Sequence, residues 1–178
     1  DQNEMKKETK DENTKEKKKE KKDQTKVKKE TAQNKRNEVD KKAKRKEIGV
    51  PEDAFFLFSV GELNENKNHQ IIIKALAKLD NPNVHYAIAG VGDKREYLIE
   101  LAKDIGVSNQ IHLLGYRKDI AEINYIADVF CFPSKREGLS VSLMEAMACG
   151  LPCLVSKIRG NTDLIDIKGG KLFSPLSE

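Results

Sequence analysis

The chain has 178 residues, enough for one ordinary domain, and its formal net charge of +4 is unevenly placed: residues 1–47 carry 19 Lys/Arg against 12 Asp/Glu, and residues 48–178 carry 14 against 17. The basic balance therefore belongs to a leader, and the remainder is mildly acidic. No apolar segment follows the basic start as in a secretory signal, no apolar run approaches the ~20 residues that cross a bilayer, and Cys131, Cys149 and Cys153 sit in apolar surroundings without a nearby His, which reads as buried free thiols of a reducing compartment rather than a disulfide frame or a zinc site.

In residues 1–47 the apolar side chains are Met5, Val27, Ala32, Val39 and Ala43, with no aromatic, Gly or Pro. Such a stretch cannot bury enough apolar area to offset the entropy of ordering it. The expectation is a low-complexity charged leader, disordered or helical, since Lys and Glu favour helix. A nucleic-acid module interleaves aromatics or presents a folded basic face, and a membrane-surface helix needs an apolar stripe. The leader has neither, and no nucleic-acid partner is expected.

From residue 48 onward apolar runs alternate with helical spacing. Phe55–Val60 (FFLFSV) is a continuous apolar run, the mark of a strand buried on both faces. Asn68–Leu79 is a helix with Ile72, Ala75, Leu76 and Leu79 on one side. Val84–Ala89 is a second strand, ended by Gly90-Val91-Gly92, and Lys94–Ile105 a second amphipathic helix, stopped by Gly106. Ile111–Leu114, Val129–Phe132 and Pro152–Val155 supply three more strands, with helices over Ile120–Ile126 and Ser140–Cys149 between them and a sixth strand at Leu172-Phe173. Alternating strands and helices of this kind give an α/β fold with a doubly wound parallel sheet. Ligands of such sheets bind outside the carboxyl ends of the strands. That rule selects loops 61–67, 90–94, 115–118, 133–139 and 156–160.

Pro133–Pro152 (PSKREGLSVSLMEAMACGLP) is the richest stretch. A strand ends at Pro133, a loop carries Lys135, Arg136 and Glu137, and a helix starts near Ser140. Its unpaired N–H groups make a ready anion site, within reach of Lys135 and Arg136. Glu145 has Leu143, Met144, Ala146, Met147 and Ala148 as neighbours, and a carboxylate in apolar surroundings needs partners. A ribose diol offers two O–H donors, and a Glu that pairs with a Lys or points to solvent is the bland alternative. Glu137, beside the anion site, can accept from sugar hydroxyls. His69 is expected as a partly exposed residue of a helix-capping region, His85 and His112 as structural, and Asp128 as a capping or pairing residue. A phosphate-receiving regulator would need an acidic cluster after the first strand and an Asp ending a central strand, which this sequence lacks.

Glu137 and Glu145 have seven residues between them, with Gly138 after the first and an Ala-Met-Ala-x-Gly-x-Pro tail after the second. This resembles the E-x7-E motif of the retaining GT-B glycosyltransferases, of family 4 (group 1) type. Ser59-Val60-Gly61 with Lys67, Ala89-Gly90-Val91-Gly92, Leu114-Gly115-Tyr116, Ala127-Asp128-Val129 and Pro133-Ser134 follow in the family's order. The resemblance covers roughly residues 44–175.

It implies a Rossmann-like domain, the C-terminal, nucleotide-sugar-binding half of a GT-B fold, over 48–178. By the resemblance Glu137 contacts the donor sugar and Lys67 the diphosphate, the pair being the catalytic candidates. Glu145 holds the ribose, and Gly138, Leu139, Ser140, Val141 and Ser142 face sugar and diphosphate. Gly115, Tyr116 and Arg117 lie beside the nucleobase, with Gly61, Gly90 and Gly92 lining the cleft and Lys135 and Arg136 adding positive charge. The partner is a UDP- or GDP-sugar as substrate, with no cofactor and no metal. Glu62 departs from the family's pattern, which places Arg after that Gly, and would repel phosphate unless turned away. The resemblance implies transfer of a hexosyl unit with retention, in polysaccharide or glycoconjugate synthesis, in the cytoplasm at the inner face of the membrane, with peripheral membrane association through the full-length enzyme. It also implies a missing N-terminal acceptor domain, a C-terminal end truncated before the domain's last helices, and little transfer by this chain alone. The alternative is a non-catalytic, orphan donor-binding module that needs a separate acceptor-domain partner.

Overall fold

The computed structural model describes residues 40–165 and 169–174. The chain divides into two units, Asp1–Glu38 and Val39–Glu178. Of the leader expected over residues 1–47, residues 1–39 lie outside the described residues, as does the end of the chain at 175–178.

Six parallel strands form one sheet: β1 (Phe55–Val60), β2 (Val84–Ala89), β3 (Ile111–Gly115), β4 (Val129–Phe132), β5 (Cys153–Ser156) and β6 (Gly170–Phe173). Their order is β3-β2-β1-β4-β5-β6. The chain winds outward from β1 to β3, crosses back to β4 beside β1, and winds outward the other way, as the doubly wound expectation requires. β2 is buried along its whole length, with His85 as its one buried ring of basic character. The helices are α1 (Lys41–Glu47), α2 (Gln70–Leu79), α3 (Arg95–Asp104), α4 (Ile120–Ile126), α5 (Val141–Ala148) and the four-residue α6 (Arg159–Thr162). Side chains of β1 alternate between two cores. Phe56 and Phe58 pack with Ile123, Ile126, Phe130, Phe132, Leu143 and Ala146 on one face. Ile73, Leu76, Tyr86, Ile88 and Leu98 fill the other. Among the described residues no helix is long and apolar enough to cross a membrane.

The folded part starts earlier than composition predicts. Lys41–Glu47 (KKAKRKE) has no apolar periodicity, yet it forms α1 with Asp40 as its N-cap, accepting from Ala43 N–H at 3.0 Å. Arg45 explains why: its side chain is buried at 1% exposure. The guanidinium donates to Ile126 O (3.3 and 2.9 Å), Glu52 O (3.0 Å), Ala54 O (2.6 Å) and Asp128 Oδ2 (2.9 Å). Asp128 also accepts from Phe56 N–H at 2.8 Å, so it pairs as expected. On the surface side, Lys44 reaches Glu122, Asp119 and Glu47. The Arg117 guanidinium beside Asp119 holds that carboxyl far below the ordinary carboxylate range. Arg45→Met should cost about 3 kcal/mol or more, because it leaves buried carbonyls and the Asp128 carboxylate without their donor. Denaturant unfolding of the full chain measures it, and a loss under 1 kcal/mol would contradict this role.

His85 and His112 form a structural pair, with His85 Nδ1 2.9 Å from His112 Nε2 and the rings stacked at 5.2 Å. One neutral ring donates to the other, and a second proton would set two N–H donors against each other. Burial lowers both, His112 to about 4 with a further push from His85. The unfolded chain therefore takes up protons first as pH falls, so the pair's stability is complete above pH 6.5 and is lost as pH drops toward 4. The melting temperature should fall by ~5 °C across that window, and His112→Asn should flatten the slope.

Candidate functional site

The carboxyl ends of β1 and β4 lie next to each other because those strands pair, Leu57 with Val129 and Phe58 with Phe130. The loop after β1 (61–69) therefore runs beside the loop after β4 (133–140). Lys67 Nζ and Glu137 Oε1 meet across them at 2.6 Å, both side chains largely buried. The Lys67 ammonium also lies 5.1 Å from the Phe132 ring centroid, a cation–π contact. The stem of Lys67 runs over Gly61, where an added Cβ would lie 3.2 Å from Cδ.

The neighbouring residues bind the same two loops together. The Asn66 carbonyl accepts from Lys135 N–H at 2.8 Å, and its side-chain amide donates to Arg136 O at 2.9 Å. Asn68, at φ 54, donates from Nδ2 to Pro133 O at 3.3 Å. His69 is buried, contrary to the expectation of an exposed capping residue, and makes no side-chain cap. It anchors the start of α2 through a buried chain. Ser59 Oγ donates to Cys131 O (2.5 Å) and Tyr86 Oη donates to Ser59 Oγ (2.8 Å). The Tyr86 oxygen is thus left to accept from His69 Nδ1 at 3.0 Å. Burial lowers His69 to about 4, so the ring is neutral.

Backbone meets backbone at two further points. A Cβ on Gly90 would fall 1.9 Å from Gly61 O, and one on Gly160 would fall 2.0 Å from Gly138 O and 2.7 Å from Glu137 O. The first contact seats the β1 loop on the β2 loop, and the second sets α6 directly under the Glu137 loop. Gly92 is similarly close to Leu63. Below them, α5 starts at Ser140, whose Oγ accepts from Leu143 N–H at 3.3 Å and lies 3.1 Å from Ser142 Oγ. Tyr116, Leu139 and Val141 are exposed. Gly115 takes φ 67 at the end of β3, and its carbonyl accepts from Gly90 N–H at 2.8 Å.

Other expected residues have a different setting. Glu145 is exposed, and its carboxylate has no hydrogen-bond or ion-pair partner among the described residues. The sequence neighbours that suggested apolar surroundings lie elsewhere on the helix: Leu143 and Ala146 carry the buried side of α5, and Glu145, two positions from Leu143, points away from it. Arg117 does not stand free beside a base. Its guanidinium is held by Asp119 (2.8 and 2.5 Å) and Glu47 (2.5 Å), tying α1 to the loop after β3. Lys135 pairs with Glu65. Arg136 is exposed, with no side-chain partner among the described residues. Glu62 is exposed and accepts from Asn64 Nδ2 at 2.9 Å. Asn66, Asn68, Gly160 and Asn161 were not singled out as site residues by sequence. Asn161 is buried and donates to Ser156 O at 2.9 Å, and Ser156 Oγ donates to Ser134 O at 2.5 Å, fixing the start of the Glu137 loop.

Residues 40–175 match the family described as Glycosyl transferases group 1. The chain belongs to that family. It is 35% identical over 124 residues to the uncharacterized glycosyltransferase MJ1607 of Methanocaldococcus jannaschii, covering 68% of this chain and 32% of that protein. It is 34% identical over 127 residues to an Escherichia coli UDP-Gal:alpha-D-GlcNAc-diphosphoundecaprenol alpha-1,3-galactosyltransferase, covering 68% and 33%. The crystal structure of Anabaena Alr3699/HepE in complex with UDP and glucose superposes with a TM-score of 0.72 at 27% identity, covering 78% of this chain and 39% of that one. The group 1 chain thus spans about a third of the length of these curated relatives. Its sheet is the Rossmann-like sheet of GT-B glycosyltransferases.

The glycine contacts give a direct test of the site's floor. Gly90→Ala should cost about 1–3 kcal/mol, since only backbone can yield to the new methyl group. Gly138→Ala meets open space and should stay within about 0.5 kcal/mol. Thermal unfolding of both variants checks the contrast.

Proposed function

We propose that this chain is the donor-binding part of a retaining glycosyltransferase, which moves a hexosyl unit from a nucleotide diphosphate sugar to an acceptor hydroxyl. The carrying observation is the Lys67–Glu137 pair at 2.6 Å beside the start of α5. It puts a cation for a diphosphate and a carboxylate for sugar hydroxyls within one hydrogen bond of each other, next to unpaired helix N–H groups. The family's E-x7-E spacing adds Glu145, whose exposed carboxylate, without a partner among the described residues, can take both hydroxyls of a ribose. The UDP in the Anabaena structure and the UDP-Gal donor named for the E. coli enzyme support a uridine nucleotide, with GDP as the other candidate. Work on lipid-linked or surface polysaccharide is proposed from the same relative.

In this reading Lys67 and the N–H groups of α5 stabilise charge that develops on the leaving diphosphate, the electrostatic term that dominates such reactions. Glu137 orients the sugar by accepting from its hydroxyls. Glu62 opposes the diphosphate little, since its carboxylate is exposed to solvent, where its charge is screened. Arg136 adds charge from the rim. No metal is assigned to the site. In this reading the acceptor is held by a separate domain, since the chain spans about a third of the length of its curated relatives.

Calorimetric titration of the chain with UDP and with GDP tests the assignment. Lys67→Ala and Glu145→Ala should each weaken binding about tenfold or more, the value of one charge-assisted hydrogen bond. Equal binding by wild type and both variants would sink it.

A further inference from the structure

We infer that Asn66 is a positioning residue for the Lys67–Glu137 pair, an inference that rests on the proposed donor site. Three consecutive residues, 66 to 68, each reach the five-residue stretch Pro133–Glu137. Asn66 does so at two points, with its carbonyl on Lys135 N–H (2.8 Å) and its amide on Arg136 O (2.9 Å). The amide orientation is fixed by chemistry, since a carbonyl only accepts. These two bonds close on the residues just before Glu137, and Lys67 follows Asn66 directly. The separation of the two backbones at the ion pair is thus set one residue away from it on each strand of chain.

The bonds do not serve to satisfy the core. The amide contact is solvent-exposed, and water would satisfy both groups equally well, so the clamp adds little to stability. Its effect is geometric. A lysine has four rotatable bonds and can follow a drifting loop, keeping an ion pair while its ammonium moves. Shifts of about 1 Å at a reacting centre can cost up to a hundredfold in rate. Asn68 supports the turn behind Lys67 with its left-handed backbone and its bond to Pro133 O. The stem of Lys67 lies over Gly61, which offers it backbone but no side chain.

The test uses the full chain and a control. Asn83 makes a comparable exposed amide bond, to Asp53 O at 3.3 Å, at the amino-end edge of the sheet. Carbon NMR of the Glu137 carboxylate is compared in wild type, Asn66→Ala, Asn83→Ala and Lys67→Met, the last giving the unpaired signal. The Asn66→Ala resonance should move at least halfway to the Lys67→Met position, and that of Asn83→Ala should not move. Where Asn66→Ala lowers the melting temperature by more than Asn83→Ala does, Asn66→Leu, which keeps the size and the neutral charge but loses the donor, takes its place. The dissociation constant for UDP or GDP, whichever the wild type binds, should rise about tenfold in the Asn66 variant and stay within twofold in Asn83→Ala. An unmoved Glu137 resonance in a folded Asn66 variant overturns the inference, as does unchanged nucleotide affinity when the wild type binds. If the wild type binds neither nucleotide, the donor reading fails and the carbon shift alone decides the positioning role.

Discussion

Everything at the candidate site depends on β1 and β4 lying side by side in one parallel sheet. The chain leaves β1 toward one edge and leaves β4 toward the other. The two loops therefore part at the carboxyl ends while their first residues stay close. That divergence opens a crevice, and the residues that line it are 70 positions apart in sequence, as Lys67 and Glu137 are. An ion pair on a free surface is worth little. Here both partners are shielded and the loops that carry them are bonded to each other, so the geometry is held by the frame rather than by the charge.

The frame is itself pinned by polar groups in places where apolar packing would be the default. Arg45 brings a guanidinium into the core beneath β1 and β4 and satisfies it on carbonyls and one carboxylate. On the other face, Ser59, Tyr86 and His69 form a hydrogen-bonded line from β4 to the start of α2. Apolar contacts tolerate small slips, whereas such bonds do so much less. Each of these polar insertions touches β1 or β4, the strands whose adjacency makes the crevice.

The sheet was the most legible part of the sequence. β1 and β2 match the residues read for them one for one, since each is apolar at all but one position. β5 is displaced by one residue, and β6 is longer than Leu172-Phe173 because Gly170 and Lys171 carry no apolar signal. α1 was invisible, since its one buried side chain is an arginine in a run of lysines. For Glu145 the sequence supplied neighbours but not direction; two positions along a helix turn a side chain to the far side. For Arg117 the deciding partner was Glu47, which no local pattern connects to it. The same limit hid Asn66, Asn68 and Gly160. Their contacts join loops distant in the chain, and nothing periodic records them.

The floor under the pair is made largely of peptide groups. Gly61 rests on Gly90, Gly90 N–H reaches the Gly115 carbonyl, and Gly160 lies against Gly138. A surface of this kind has no rotamers to freeze when a molecule settles on it, so that part of the ordering cost is already met by folding. Its relief is also fixed by chain geometry alone. Side-chain exchange around the rim can change which molecule is welcomed without changing the height at which it sits.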